Sequence, residues 1–176
     1  MKWDYYRPHI DRRVPGNKVD LTPLCNEPEV RRNLILDLAR PFRNVDLDKV
    51  ASPESLGFIL GSAVAQRLNR GFIPFRKGGE LPVHRQHRSR ISFIDYTNRK
   101  KTLEVNRDLI KPGERILIVD DVIDTGAQVK AMIKLIERLK GKVVGVSVLV
   151  ADRSRKTEHL IDKYKVHAIH MALVCE

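Results

Sequence analysis

The sequence contains little that would mark a secreted, membrane-spanning or metal-clustered protein. Only two cysteines, Cys25 and Cys175, occur among its 176 residues, and they lie near opposite ends without the spacing of metal ligands. The N-terminal MKWDYYRPHIDRR lacks the apolar centre of a signal peptide, and no apolar run approaches the roughly 20 residues that cross a bilayer. These absences predict a reduced, cytoplasmic protein without a membrane segment.

The P-loop motif of many nucleotide-binding proteins is also absent. No G-x-x-x-x-G-K followed by Ser or Thr occurs in the chain, which excludes that class. The chain is instead basic, because 33 Lys and Arg residues against 22 Asp and Glu residues leave a formal net charge of +11. Such a charge favours anionic partners, either phosphorylated metabolites or nucleic acid, but does not indicate a fold.

Apolar patterns with strand and helix periodicity alternate along the chain. We predict strands at 46–52, 71–76, 115–119, 142–150 and 166–174, and helices at 29–40, 55–69, 127–140 and 154–165. This alternation is typical of an α/β protein with a Rossmann-like parallel sheet flanked by helices. We expect a single domain over 1–176, with a basic flexible loop or hairpin at 77–102. Residues 1–28 are expected to form an irregular N-terminal arm or hood, which Trp3, Tyr5 and Tyr6 could hold against the body.

The strongest chemical signal is RILIVDDVIDTGAQ, residues 115–128. A buried strand ends on Asp120 and Asp121, and a turn containing Gly126 leads into the next helix. Ligands of parallel sheets bind at the carboxyl ends of strands, and the free N–H groups at a helix start bind anions. Because carboxylates repel phosphate, the ligand should present hydroxyls to the aspartates and a phosphate to the turn. A ribose 5-phosphate has that layout.

Two other interpretations of this stretch fit less well. A solvated strand end with acidic helix-capping residues explains neither the aspartate doublet nor the Thr-Gly pair at the turn. A phospho-acceptor receiver domain carries an acidic pair after its first strand, whereas here only two further strands are predicted after the pair. A sugar-phosphate site is therefore the favoured interpretation.

The stretch resembles the phosphoribosyl pyrophosphate motif of the type I phosphoribosyltransferases. Further segments resemble the adenine branch of that family in order and spacing, namely VDLTPL at 19–24, SLGF at 55–58, FRKGGELP at 75–82, IDY at 94–96 and LEVNRDLIKPGERILIVDD at 103–121. The resemblance implies the type I phosphoribosyltransferase fold and transfer of a phosphoribosyl group to a purine, most simply adenine. It also implies Mg²⁺ as cofactor, bound through the substrate, and a homodimer.

The resemblance assigns roles to individual residues. Those implied to bind the ribose 5-phosphate are Asp120, Asp121, Asp124, Thr125, Gly126, Ala127 and Gln128, and the first two could also contact Mg²⁺. Those implied to bind pyrophosphate are Arg76, Lys77, Glu54 and Ser55. Asp95 and Tyr96 match the acidic-Tyr pair of a catalytic loop, which would close over the reaction and exclude water.

The chain departs from the family at two cationic positions. Leu56 and Glu80 stand where the family usually has an arginine and a lysine that bind pyrophosphate. We expect Arg85 and Arg88 of the basic loop to take over this function; the alternative is a loop that is merely solvated. Gln128 replaces the usual hydroxyl residue of the phosphate turn, which leaves the backbone contacts.

The presence of Asp124 leaves two alternatives for the purine base that is the substrate. Adenine enzymes commonly have alanine there, whereas an aspartate resembles the enzymes for hypoxanthine, guanine or xanthine. Its carboxylate could accept the proton that the purine loses, or it could cap the following helix. A third alternative is a regulator that senses phosphoribosyl pyrophosphate without turnover, favoured by the basic charge and the missing cations. No separate DNA-binding domain is evident, so we expect no nucleic-acid partner.

Overall fold

The computed structural model describes residues 1–11, 13, 20–95 and 97–173, and a seven-stranded sheet lies at its centre. The strands are β1 Lys49–Pro53, β2 Gly71–Lys77, β3 Arg88–Ile94, β4 Lys100–Asn106, β5 Arg115–Ile123, β6 Lys142–Arg153 and β7 Val166–Leu173. Their order is β3-β4-β2-β1-β5-β6-β7. Each adjacent pair in the series β2-β1-β5-β6-β7 is parallel. Strand β4 pairs antiparallel with both β2 and β3.

The helices are α1 Trp3–Tyr6, α2 Pro28–Ala39, α3 Leu56–Leu68, α4 Ala127–Arg138 and α5 Glu158–Lys163. Proline at the start of α2 suits a first helical turn, where no N–H donor is needed. Asn69 ends α3 in the left-handed conformation, with φ of 54°. Within the described residues, the helices are too short or too polar to cross a bilayer.

Strand β5 shows why the sheet is covered on both faces. Ile116 and Ile118 pack into one apolar cluster with α4, while Leu117 and Val119 pack into a second cluster with α2 and α3. All four side chains are fully buried. Because successive side chains of a strand point to opposite faces, a continuous apolar run is what a doubly covered sheet requires. The predicted α/β fold class is confirmed.

The N-terminal segment is more ordered than the sequence predicted. Residues Trp3–Tyr6 form a helical turn, and Tyr6 is fully buried with its hydroxyl donating to Asp37 Oδ2 at 2.7 Å. Burial and this hydrogen bond raise the pKa of Tyr6. Trp3 stacks on His170 with ring centroids 4.4 Å apart. The prediction of irregular chain is therefore wrong for this turn, whereas Trp3 and Tyr6 do contact the body as expected.

Two further segments can be compared with their predictions. Of the two forms predicted for 77–102, the structure has the hairpin: residues 88–94 pair antiparallel with residues 100–106, and the partly buried Ile91 and Phe93 of the first strand pack against the apolar cluster that contains α4. The last helix is shorter than the predicted 154–165, because the Thr157 hydroxyl bonds within the preceding turn. It donates to the Asp152 carbonyl at 2.6 Å and accepts from the Ser154 N–H at 2.9 Å.

Candidate active site

A cleft of about 850 Å³ lies at the carboxyl ends of β1 and β5, with the β3–β4 hairpin along one side. Its lining comes mainly from residues 54–57, 77–78, 100–103 and 120–129. This is the position at which parallel sheets bind ligands, because loops after adjacent strands open toward the same edge. The stretch 115–128 thus contributes both its acidic pair and its turn to one cleft.

The acidic pair is held by hydrogen bonds from its own segment. Asp120 is only 2% exposed, and its Oδ1 accepts from the Asp121 N–H at 2.9 Å. Its Oδ2 accepts from the side-chain amide of Gln128 at 3.0 Å. Burial, followed by the negative charge of Asp121, raises the pKa of Asp120. Asp121 is half-buried and lines the cleft, where it can accept hydrogen bonds from a sugar.

The turn after the acidic pair has the geometry of an anion site. Gly126 adopts the left-handed conformation, with φ of 72°, and precedes the first residue of α4. A Cβ atom there would lie 2.9 Å from Leu160 Cδ2. The first N–H groups of a helix have no partner within it, and together with the helix dipole they attract a phosphate. Glycine is therefore needed both for the backbone conformation and for the packing.

Asp124 lies between the acidic pair and the turn, and it lines the cleft. The residue that caps α4 is Gly126, and the Thr125 hydroxyl accepts from the N–H of Ala127, the first helical residue, at 3.4 Å. The alternative in which Asp124 caps the helix is therefore wrong. Ile123 pairs with Ala151, which puts Asp124 beside Asp152 of β6. The pKa of Asp152 is raised by burial and then by the charge of Asp124.

The residues expected to bind pyrophosphate are only partly brought together. Glu54, Ser55 and Lys77 line the cleft. Arg76 lies outside the described lining, and its Nε donates to Glu54 Oε2 at 3.1 Å. The same oxygen accepts from the Lys77 N–H at 3.1 Å, and these contacts lower the pKa of Glu54. In this conformation the Arg76 guanidinium is therefore paired with the Glu54 carboxylate.

Arg85 and Arg88 do not belong to the lining formed by the described residues. Arg85 begins a short 3-10 turn, and Arg88 Nη2 donates to the carbonyls of Leu81 and Val83 at 3.0 and 3.1 Å. Arg88 also faces the buried Glu104, at 3.6 Å. Its charge is thus used to hold the preceding loop against the hairpin.

Asp95 lines the cleft and also builds the tip of the hairpin. Its Oδ1 accepts from the Thr97 hydroxyl at 2.6 Å and from the N–H groups of Thr97 and Arg99 at 2.9 and 3.0 Å. The hydroxyl contact is the main reason that the pKa of Asp95 is lowered. Tyr96, its predicted catalytic neighbour, lies outside the described residues.

The sequence interpretation missed several lining residues, among them Leu21, Phe93, Lys100, Lys101 and Thr102. Four of these come from the hairpin, in which Phe93 pairs with Lys101 and Ser92 with Thr102. The signal that could have located them is the alternation of apolar and polar residues in ISFI at 91–94 and KTLEV at 101–105, which is typical of strands. The side facing the cleft depends on how β4 pairs with β2, and no local pattern specifies that pairing.

A mostly parallel α/β sheet, with an acidic pair and a glycine turn before a helix in one cleft at its carboxyl edge, is an arrangement that suits a sugar-phosphate ligand. Residues 34–174 match the phosphoribosyl transferase domain family. The adenine phosphoribosyltransferase of Rhodopirellula baltica is 37% identical over 166 residues, covering 94% of this chain and 76% of that protein. That of Thermobifida fusca is 43% identical over 147 residues, covering 83% and 81%.

Solved structures agree with these relatives. Adenine phosphoribosyltransferase from Rhodothermus marinus superposes with a TM-score of 0.84 at 35% identity, covering 96% of this chain and 97% of that one. The enzyme from Giardia lamblia, complexed with 9-deazaadenine, gives a TM-score of 0.85 at 25% identity, covering 99% of both. The chain therefore belongs to the phosphoribosyltransferase family, in its adenine branch.

Proposed function

We propose that this protein transfers the phosphoribosyl group of phosphoribosyl pyrophosphate to adenine, releasing AMP and pyrophosphate in purine salvage. The observation that carries the proposal is the pairing of Asp120 and Asp121 with the Gly126 turn in one cleft. The carboxylates would accept hydrogen bonds from the ribose hydroxyls, while the turn would bind the 5-phosphate. The adenine-specific relatives support the choice of base.

The reaction replaces one bond at the ribose C1′ carbon by another. The purine N9 forms a bond to C1′ as the bond from C1′ to pyrophosphate breaks, and the bonding electrons leave with the pyrophosphate. The purine loses one proton, which Asp124 would accept as general base. Asp95 and Tyr96 would close over the cleft and exclude water that would otherwise capture the positively charged sugar.

The cleft residues fit a magnesium ion that is shared with the substrate. In the described part of the chain, no group of three or more His, Cys, Asp or Glu side chains could hold a metal alone. Mg²⁺ commonly binds through one or two carboxylates and keeps phosphate and water oxygens, so the half-buried Asp121 would hold it together with the substrate. The buried Asp120 would contribute once Gln128 releases its Oδ2. When bound, the ion would neutralise charge developing on the departing pyrophosphate.

The pyrophosphate would lie on the side of the cleft lined by Ser55, Glu54 and Lys77. Arg76 would contribute once its guanidinium turns from Glu54, and Arg85 and Arg88 only if the loop that carries them moves toward the cleft. We propose that the protein acts as a homodimer in the cytoplasm and binds phosphoribosyl pyrophosphate and a purine base. No membrane or nucleic-acid partner is part of the proposal.

An assay with four bases tests the proposal. The protein is incubated with phosphoribosyl pyrophosphate, Mg²⁺ and adenine, hypoxanthine, guanine or xanthine, and nucleotides are separated by chromatography. We expect AMP as the main product. Faster formation of IMP, GMP or XMP would favour a 6-oxopurine substrate, which the position of Asp124 in the cleft supports. No product with any base would contradict the enzymatic function and favour the sensor.

Replacing Asp124 by Asn is expected to lower kcat by about 100-fold, within the usual range for a lost general base. The carboxamide has nearly the same shape but cannot take the proton, so KM for phosphoribosyl pyrophosphate should change little. The matched control is Asp152→Asn, which removes the neighbouring carboxylate outside the described cleft lining. If Asp124→Asn has the wild-type kcat and the wild-type Tm, Asp124 is not the general base.

A further inference from the structure

We propose, on the basis of the proposed function, that Lys100 and Lys101 of β4 bind the pyrophosphate of the substrate. They would replace the two family cations that this chain lacks at Leu56 and Glu80. Both lysines line the cleft, on the hairpin side. A diphosphate leaving group carries several negative charges, so a cleft without additional cations would bind it poorly.

The other cations are engaged elsewhere or lie outside the cleft. Arg76 donates to Glu54, and Arg88 donates to two backbone carbonyls. Arg85 does not belong to the lining contributed by the described residues. The lysines and arginines in that lining are Lys77, Lys100 and Lys101.

The strand pairing brings Lys77 and Lys101 to one face of the sheet, while Lys100, the preceding residue of β4, lines the cleft from the start of the strand. Lys77 at the end of β2 pairs with Leu103 of β4, and Lys101 is two residues before Leu103. Directly opposed residues of an antiparallel pair share a face, as do residues two apart, so Lys77 and Lys101 are diagonal neighbours on one face. Their Cα atoms should be roughly 7–8 Å apart, a spacing from which two ammonium groups can reach one diphosphate.

The resting contact of Lys101 is weak enough to be exchanged for a ligand. Its Nζ lies 3.9 Å from Asp95 Oδ2, and the side chain is 52% exposed. Exposed ion pairs of this kind contribute little to stability. A diphosphate presents more charge than one carboxylate, so its binding would draw the ammonium group from Asp95. Asp95 would remain in the hairpin tip through its other oxygen, Oδ1.

The test compares ligands that contain pyrophosphate with ligands that lack it. Isothermal titration calorimetry with Mg²⁺ measures Kd for phosphoribosyl pyrophosphate, pyrophosphate, AMP and ribose 5-phosphate. In the double variant Lys100→Ala/Lys101→Ala, the first two should bind about ten- to hundredfold more weakly, as expected when charge-assisted contacts are lost. AMP and ribose 5-phosphate should bind within about twofold of wild type, because the acidic pair and the turn are unaltered.

The control variant is Lys134→Ala/Lys142→Ala, which removes the same charge from two exposed positions outside the described lining. It should leave all four affinities unchanged. The variant Lys100→Arg/Lys101→Arg, which keeps the charge, should retain binding of pyrophosphate to within about tenfold.

Two results would overturn the inference. Unchanged affinity of the alanine double variant for pyrophosphate would show that the lysines do not bind it. Equal weakening of all four ligands would show that they support the hairpin instead. If wild-type protein binds neither phosphoribosyl pyrophosphate nor AMP, the proposed function fails together with the inference; if wild type binds both and the alanine variant is unaffected, only the inference fails.

Discussion

Replacing Asp121 by Asn is expected to lower kcat/KM for phosphoribosyl pyrophosphate by about 10- to 100-fold. In the proposed complex, its carboxylate accepts a hydrogen bond from a ribose hydroxyl, and such charge-assisted contacts contribute about 1.5–3 kcal/mol. Asparagine fills the same space but carries no charge. The residue is half-buried, so the substitution tests binding with less effect on folding than one at the buried Asp120.

Initial rates over a range of substrate concentrations, together with thermal unfolding, measure the effect of Asp121→Asn. The matched control is Asp4→Asn, the same change at an exposed aspartate outside the described cleft lining. It should leave kcat/KM within about twofold of wild type, as usual for a surface substitution. Wild-type kcat/KM in Asp121→Asn would exclude a ribose contact by this carboxylate.

Replacing Gly126 by Ala is expected to reduce kcat/KM by at least about 100-fold, because the turn would no longer present its N–H groups to the 5-phosphate. Alanine in the left-handed conformation costs about 1–2 kcal/mol. Its Cβ would also lie 2.9 Å from Leu160 Cδ2, so the buried Leu160 side chain must move. The combined effect should lower Tm by about 2–8 °C for a chain of this size.

Gly113→Ala separates backbone strain from loss of the phosphate site. Gly113 also has a positive φ, of 85°, but among the described residues a Cβ there would meet nothing within 4 Å. The control should lose a comparable part of the stability, measured by thermal unfolding, while kcat/KM stays within about twofold of wild type. Equal loss of activity in both variants would mean that general destabilisation, and not the phosphate turn, explains the effect.

The structure also changes how the hairpin should be understood. The many basic residues at 77–102 predicted a flexible loop or hairpin whose Arg85 and Arg88 bind pyrophosphate. Arg88 instead links that segment to Glu104 and to backbone carbonyls, and the hairpin extends the sheet beside the cleft. Its Asp95 forms part of both the hairpin tip and the cleft lining. A change in the hairpin should therefore affect the cleft directly.

Much of the fold could be predicted because its signals are local. The apolar run Ile116–Val119 and the amphipathic pattern of α4 follow from side-chain periodicity alone. Helix ends at Pro28 and Asn69 follow from the backbone preferences of those residues. The helical turn at Trp3–Tyr6 could not be predicted in this way, because it depends on the contacts of Tyr6 with Asp37 and of Trp3 with His170.

The acidic pair and the turn proposed to bind phosphate could be located from residue order alone, because Asp120, Asp121 and Gly126 lie within seven consecutive residues at one strand-to-helix junction. Their relative positions follow from local geometry. The cations that line the same cleft could be identified only from the folded chain. That choice depends on the pairing of β4 with β2, which brings Lys101 beside Lys77 across 24 positions of sequence. Long-range pairing is set by the packing of the whole sheet, so residue types in the basic loop could not reveal it.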